Sequence, residues 1–416
     1  MEKIKLAIVG CGGMGGRHLL GLQELEASGM SNAQLVAVCD LRRDNAERLA
    51  DKAADLLGVQ PVIFSDMAEM AKAIPDLAAA VVTSDAGSHH VVACQAFDQG
   101  LHVLCEKPLG ISMRACNRIL AAQARAGKVL SVAENYRRDP MARLTRALLD
   151  AGAIGRPYLM FDLSASGRRD ILILPWRHYK HVGGMVIDGG VHNADLLLYF
   201  LGDAHEVYAR TKLWETTRTK GERLGVAGFY EAWRDEIPQS ITATSEDMFV
   251  SVVGFKSGAT ANWTQFYAAH GKGFGQKVIY GEKGSLVCGG IRNGVSPVLT
   301  LDDSAELTGD ALLELAPNYH LDAITERLYG SPRPAQFSLP FPACDRKLLA
   351  IEYYEFAQCI LTGGTPEVDG RVGRRALGIC YAGLESGVLG RPVTVDAVEA
   401  EQTSVYEADI NAHWRI

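Results

Sequence analysis

The stretch "IKLAIVGCGGMGGRH" runs from Ile4 to His18, and its reading decides the fold. An apolar run enters it and a helix-forming run leaves it. Between them Gly10, Gly12 and Gly15 stand in GxGxxG order. That order, after a strand and before a helix, marks the opening of a βαβ unit that takes a dinucleotide. Gly10 permits the tight turn, Gly12 lets the backbone approach a pyrophosphate, and Gly15 lets helix pack on strand. Gly13 and Met14 open the helix, whose N-terminus faces the phosphates. The next strand, in "LVAVCDLRRD", ends at Asp40. A carboxylate there accepts the ribose hydroxyls and repels a 2′-phosphate, which favours NAD. Arg42 and Arg43 follow at once, and guanidinium groups beside a ribose can hold a 2′-phosphate. We read them first as solvated charges at a helix start. NAD is the expected cofactor, with NADP not excluded.

Working outward, short apolar runs alternate with amphipathic helical stretches as far as "KVLSVAEN". Strands buried on both faces, alternating with helices, argue a doubly wound parallel sheet. We assign residues 1–135 to this Rossmann domain and 136–416 to a second, α+β domain. In the second, strand-like pieces follow one another through "KSG" and "GEKG", which are hairpin signals. They predict a large, open, mostly antiparallel sheet. A polar stretch over 214–245 has no clear period and reads as an insertion carrying Trp214, Phe229, Tyr230 and Trp233. Those aromatics suit either a cover over a substrate or a subunit interface.

Composition narrows the class. The chain has 416 residues, 48% hydrophobic and 22% charged, with a formal net charge of −7. This is a globular composition with no basic footprint for nucleic acid. No apolar run reaches the length of a membrane span, and the first strand begins too early for a secretory leader. The 9 cysteines form no CxxC pair and no metal-ligand spacing. We expect reduced thiols, a cytoplasmic protein, and no metal.

Two further motifs carry chemistry. "LHVLCEKPLG" ends the fifth strand with Glu106, Lys107 and Pro108. Ligands of doubly wound sheets bind at strand carboxyl ends, so Lys107 points into the cofactor crevice. A surface Lys in a turn is the plainer alternative. "GGMVIDGGVHNAD" places Asp188 and His192 four apart, on one helical face, with Gly189 and Gly190 between them. Interior glycines weaken a helix, so we expect something to approach the backbone there, namely substrate and nicotinamide.

Together these motifs resemble the glucose–fructose oxidoreductase/inositol dehydrogenase family, often written Gfo/Idh/MocA. The resemblance extends through "GCGGMGGRH", "SHHVVACQAFDQGLHVLCEKPL", "AENYRRDP", "WRHYKHVGGMVIDGGVHNAD" and "PEVDGRVGRRALGICYAGLESGVLGRPVTV". One departure is Ser84-Asp85, where members usually carry Thr-Pro beside the cofactor. The family histidine of the following helix matches His89. The resemblance implies an NAD(P)-dependent dehydrogenase that oxidises a secondary hydroxyl of a sugar, cyclitol or glycoside. His192 would take the hydroxyl proton, Asp188 would orient its imidazole, and Lys107 would polarise the oxygen. Cofactor contacts would come from the glycine turn, Asp40, Arg42, Ser84, His89, Glu106 and Lys107. Substrate contacts would come from Tyr136, Arg137, Trp176, Arg177, His178, Asp188 and His192. Structural ion pairing competes for Arg137 and Arg177, and support of the helix competes for Asp195. His181, Tyr267 and His270 are further pocket candidates. A homodimer or homotetramer is expected, because an open apolar sheet face needs cover. The alternatives are a redox-neutral NAD-dependent glycosidase, a sugar–sugar oxidoreductase that recycles its cofactor, and a non-catalytic dinucleotide sensor.

Overall fold

The computed structural model describes residues 2–221, 228–302 and 305–416. The Phe229 side chain and residues 222–227 of the insertion lie outside the description.

The first part alternates strand and helix: β1 (Ile4–Val9), α1 (Gly13–Ala27), β2 (Ala33–Cys39), α2 (Arg43–Leu57), β3 (Val62–Phe64), α3 (Met67–Ala73), β4 (Ala79–Val82), α4 (His89–Asp98), β5 (His102–Glu106), α5 (Met113–Ala126) and β6 (Leu130–Ala133). These strands form one parallel sheet in the order β3-β2-β1-β4-β5-β6. The order reverses between β1 and β4, which opens a crevice at their carboxyl ends.

Next come α6 (Pro140–Asp150), β7 (Pro157–Gly167), α7 (Gly184–Asp188), α8 (Gly190–Leu201), β8 (Ala204–Lys212), β9 (Thr217–Thr219), β10 (Ser240–Thr242), β11 (Met248–Phe255), β12 (Thr260–Ala269), β13 (Phe274–Gly281), β14 (Gly284–Val287), β15 (Val298–Leu301) and β16 (Leu307–Thr308). The remainder is α9 (Ala311–Leu315), α10 (Ala323–Tyr329), α11 (Phe341–Thr362), α12 (Gly370–Leu389), β17 (Val393–Thr394), α13 (Val395–Glu399) and α14 (Ala408–Trp414). A nine-stranded sheet runs β16-β15-β14-β13-β7-β12-β11-β8-β17, antiparallel except where β7 lies beside β12. The expected hairpins are present. Gly258, at φ +85°, turns β11 into β12, and Glu282-Lys283 join β13 to β14.

Both faces of the parallel sheet are covered. Leu6 and Ile8 share a core with α1, α2 and α11, including Leu348, Tyr353 and Phe356. Ala7 and Val9 belong to the other core, which runs through α4, α5, α8 and α12 to the second sheet. Helix α12 therefore lies between the two sheets. The edge of β6 is covered too, since the Val132 N–H donates to the Val368 carbonyl at 2.9 Å. The outer face of the second sheet exposes Tyr158, Tyr208, Val250, Val252, Phe274 and Tyr280.

The insertion folds back on the first domain. Strands β9 and β10 form a separate ribbon. Residues 228–236 make a 3-10 segment against α1. The Arg48 guanidinium lies 5.3 Å from the Trp233 ring centroid. Trp214 remains exposed, whereas Tyr230 is buried.

Close helix packing predicts a contrast between two glycines of α1. A Cβ on Gly21 would stand 2.5 Å from Leu349 Cβ of α11, whereas one on Gly16 would meet nothing closer than Lys52 Nζ at 3.6 Å. Gly21→Ala should lower stability by about 1–3 kcal/mol. Gly16→Ala should be neutral or raise it by about 0.5–1 kcal/mol. Denaturant midpoints of the two variants check this.

Candidate functional site

The glycine turn is built for a close ligand. Gly10 has φ +99°, and a Cβ there would sit 2.5 Å from the Ser84 nitrogen. A Cβ on Gly15 would sit 2.5 Å from the Gly10 carbonyl oxygen, so this glycine lets α1 lie against the turn. A Cβ on Gly12 would meet nothing within 4 Å. No side chain caps α1, so its first-turn N–H groups, from Gly13 and Met14 onward, remain for an anion. These observations fit a dinucleotide pyrophosphate. Asp40 is held at the tip of β2 by the Cys11 N–H at 2.6 Å and the Arg42 N–H at 2.8 Å. The Arg42 and Arg43 guanidinium groups bond Asp44 and Glu47.

Ser84, His89 and Glu106 line the same cavity, but the last two chiefly hold its walls. The His89 ring joins the Pro108 carbonyl at 2.8 Å to the Ser84 carbonyl at 3.2 Å. Glu106 accepts from His18 at 2.9 Å and from the Lys107 backbone N–H at 3.0 Å, and lies 3.5 Å from Arg17. Burial would raise its pKa, but His18, Arg17 and Lys107 prevail and lower it to about 2.

The cavity is about 1090 Å³ and extends from Met14 to the inner face of the second sheet. Lys107, which precedes a cis proline bond, reaches across the domain junction. Its Nζ donates to Asp188 Oδ1 and to the Asp188 carbonyl, both at 2.9 Å. Arg177 Nη2 lies 2.7 Å from the other carboxylate oxygen. Burial opposes the Asp188 charge, yet Arg177 and Lys107 hold the carboxyl below its ordinary pKa.

His192 lines the cavity one helical turn on, and Asp188 does not orient it. Its Nδ1 lies 2.7 and 2.8 Å from the two oxygens of Glu134, at the end of β6. The expected Asp188–His192 pairing is corrected on this point, because Lys107 and Arg177 already occupy the carboxylate. The glycine expectation is corrected as well. A Cβ on Gly189 would press on Tyr267 Oη at 3.1 Å, and one on Gly190 on Trp263 at 3.0 Å. The close approach there is that of the second sheet, although Gly189 still borders the cavity.

Tyr136, Trp176, Arg177 and Tyr267 line the cavity, and Tyr230 of the insertion joins them. Arg137 and His178 do not. Arg137 makes a bidentate, buried pair with Asp195, at 2.8 and 2.6 Å. His178 accepts from the Leu172 N–H at 2.9 Å, and burial lowers its pKa to about 3. His181 stacks on Tyr179, and His270 bonds Glu215 at the surface. Sequence reasoning missed Glu134 and a polar chain on the cavity floor. There Asn193 donates to Asp162 at 2.7 Å, Gln265 donates to Asn193 at 2.9 Å, and Lys277 lies 3.3 Å from Asp162. Arg292 also went unseen; it pairs with Asp345 and lies 4.7 Å from the Tyr136 centroid. The available signal for Glu134 was its place at a strand carboxyl end, like Glu106. Among the described residues no group of three or more His, Cys, Asp or Glu could hold a metal.

The Glu106 cluster makes a prediction. Its folded-state pKa is depressed, so its stabilisation is present above the usual glutamate pKa and is lost as pH falls towards 2. Glu106→Gln should cost about 3–5 kcal/mol at pH 7. The gap to wild type in denaturant midpoint should narrow between about pH 4.5 and pH 2.

A model of the oxidoreductase family with NAD-binding Rossmann fold matches residues 4–134, and the GFO/IDH/MocA C-terminal domain matches 142–287. D-apiose dehydrogenase of Paraburkholderia graminis is 25% identical over 97% of this chain and 93% of its own length. Myo-inositol 2-dehydrogenase of Thermotoga maritima is 24% identical over 95% and 99%. A levoglucosan dehydrogenase solved with NADH shares the fold, with a TM-score of 0.73 at 22% identity over 95% of this chain and 99% of that one. The two matched segments correspond to the parallel sheet and, in the second domain, to the elements from α6 to β14, and on that basis the chain belongs to the Gfo/Idh/MocA family of oxidoreductases.

Proposed function

We propose that the protein is an NAD-dependent dehydrogenase that oxidises a secondary hydroxyl of a neutral sugar, cyclitol or glycoside. The observation that carries this reading is the meeting of Lys107 and His192 in one cavity with the open N-terminus of α1. Bound at the glycine turn, NAD would supply the hydride acceptor. His192 accepts the hydroxyl proton, and Lys107 donates a hydrogen bond to the oxygen as it becomes alkoxide-like. Asp188 holds Lys107 in place rather than acting on the proton. Burial, with the charges of Lys107 and Arg292, keeps the His192 pKa well below its ordinary value, so the ring is neutral at pH 7. Neutrality of the substrate is supported by the cavity's cations. Lys107 and Arg177 face Asp188, Lys277 faces Asp162, and Arg292 faces Asp345. Hydroxyl groups suit the Asp162–Asn193–Gln265 chain, which has donors and acceptors to share. Asp40 supports NAD over NADP, and the apolar outer face of the second sheet supports pairing with another copy.

The test is NADH absorbance with NAD or NADP against inositols, monosaccharides and glycosides. A rise with one class is expected. His192→Ala and Lys107→Ala should each lower kcat by about 10²–10⁴-fold. Asp40→Ala should shift the kcat/KM ratio towards NADP by about tenfold or more. Release of an aglycone without net NADH would instead indicate a redox-neutral cycle. Light scattering should give a mass above one chain.

A further inference from the structure

We propose that Glu134 is a positioning residue for the proton-transfer step, keeping the His192 proton on Nδ1 so that Nε2 presents its lone pair to the cavity. This rests on the dehydrogenase reading above and names a group that reading does not use.

Both Glu134 oxygens are within 2.8 Å of Nδ1, and the carboxylate is itself aimed by the Tyr136 backbone N–H at 3.1 Å from Oε1. The imidazole is also stacked on the Tyr136 ring, 4.1 Å between centroids and 3° from parallel. Two contacts therefore fix its plane and its rotation. Among the described residues Nε2 has no hydrogen-bond partner. A neutral imidazole carries one N–H, and a carboxylate against Nδ1 accepts that N–H, which selects the tautomer with a basic Nε2. Glu134 makes no ion pair with Lys or Arg among the described residues, so pairing a guanidinium does not explain its burial. Burial raises its pKa to about 7, against the nearby charges of Lys107, Arg137 and Arg292, so the ionised form that selects this tautomer prevails above that pH. Asp195 and Glu352 face it with like charge. Asp188 and Glu106 add negative charge on the His192 side.

The proton balance is simple. With NAD bound at the glycine turn, its nicotinamide would take the carbinol C–H as hydride, and the O–H proton passes to His192 Nε2. The C=O bond forms from the O–H pair. The imidazolium so formed lies against the Glu134 carboxylate, and its extra proton returns to water after product leaves.

The test uses protein with ¹⁵N-labelled histidine, the His192 signals assigned by their loss in His192→Gln. At about pH 8.5, where Glu134 is ionised, Nδ1 should be protonated and Nε2 bare in wild type and Glu134→Asp. In Glu134→Ala the two tautomers should mix. Glu134→Gln should lower kcat by about 100-fold or more, as loss of a tautomer-fixing carboxylate does elsewhere. KM for NAD should stay within about twofold. The acid limb of kcat/KM should move to lower pH, because the negative field that supports the imidazolium is gone. Glu134→Asp should recover part of the rate. A wild-type His192 protonated on Nε2 would overturn the proposal, and so would an unchanged tautomer in Glu134→Ala or an unmoved acid limb in Glu134→Gln. The wild-type tautomer needs no substrate and no folded Glu134 variant. Failure of the dehydrogenase reading would show separately, as no NADH from any polyol while Nδ1 remains protonated.

Discussion

The two halves of the protein meet on one buried carboxylate. Asp188 ends a short helix of the second domain, and its partners come from elsewhere: Lys107 from the tip of a strand in the first sheet, and Arg177 from the loop after β7. A buried charge must be paired, and removing one member of such a set costs about 3–5 kcal/mol. Arg177 meets that requirement from within the second domain, and Lys107 adds a second partner from the first. The interruption of the helix at Gly189 belongs to the same arrangement. It leaves the Asp188 carbonyl at a helix end, where it takes a second bond from Lys107. A flexible lysine thus becomes a fixed donor, aimed before any substrate arrives.

A second cluster does the same for the cofactor end. Arg17 and His18, adjacent on α1, reach Asp345 and Tyr353 of α11 on one side and Glu106 on the other. The first helix, whose N-terminus opens on the crevice, is thereby tied to the strand that carries Lys107. Glycine turn and Lys107 share one rigid frame, which the proposed hydride transfer over a few ångströms would demand.

How much of this was legible beforehand follows from the range of each constraint. The glycine turn, the alternation of strands and helices, and the two hairpin turns are local, and each appeared where the residues indicated. The Glu-Lys-Pro turn and the Asp-x-x-x-His spacing were local too, so Lys107, Asp188 and His192 could be named together. What their side chains touch was not legible. Asp188 and His192 share a helical face, yet their partners come from β5, β6 and a loop, and only the tertiary fold decides which carboxylate reaches which base. The same holds for Arg137 and His178. Their residue types suit a sugar pocket, but Asp195 and the Leu172 N–H claim them inside the protein. Tyr230 stood in a stretch without period, and its place in the cavity depends on how the 228–236 segment packs against α1.

The cover on the first sheet has an effect on how the chain must be made. Leu6 and Ile8 share their core with residues of α11, more than three hundred positions later. The other face leans on α12. During synthesis the first six strands therefore leave the ribosome with part of each face bare, and they stay so until the last quarter of the chain has emerged. Contacts this distant in sequence slow folding, and incompletely covered sheets associate readily. A fragment holding only the nucleotide-binding segment would inherit that exposed surface permanently, so the domain that looks most independent in sequence is the one that waits longest for its partner.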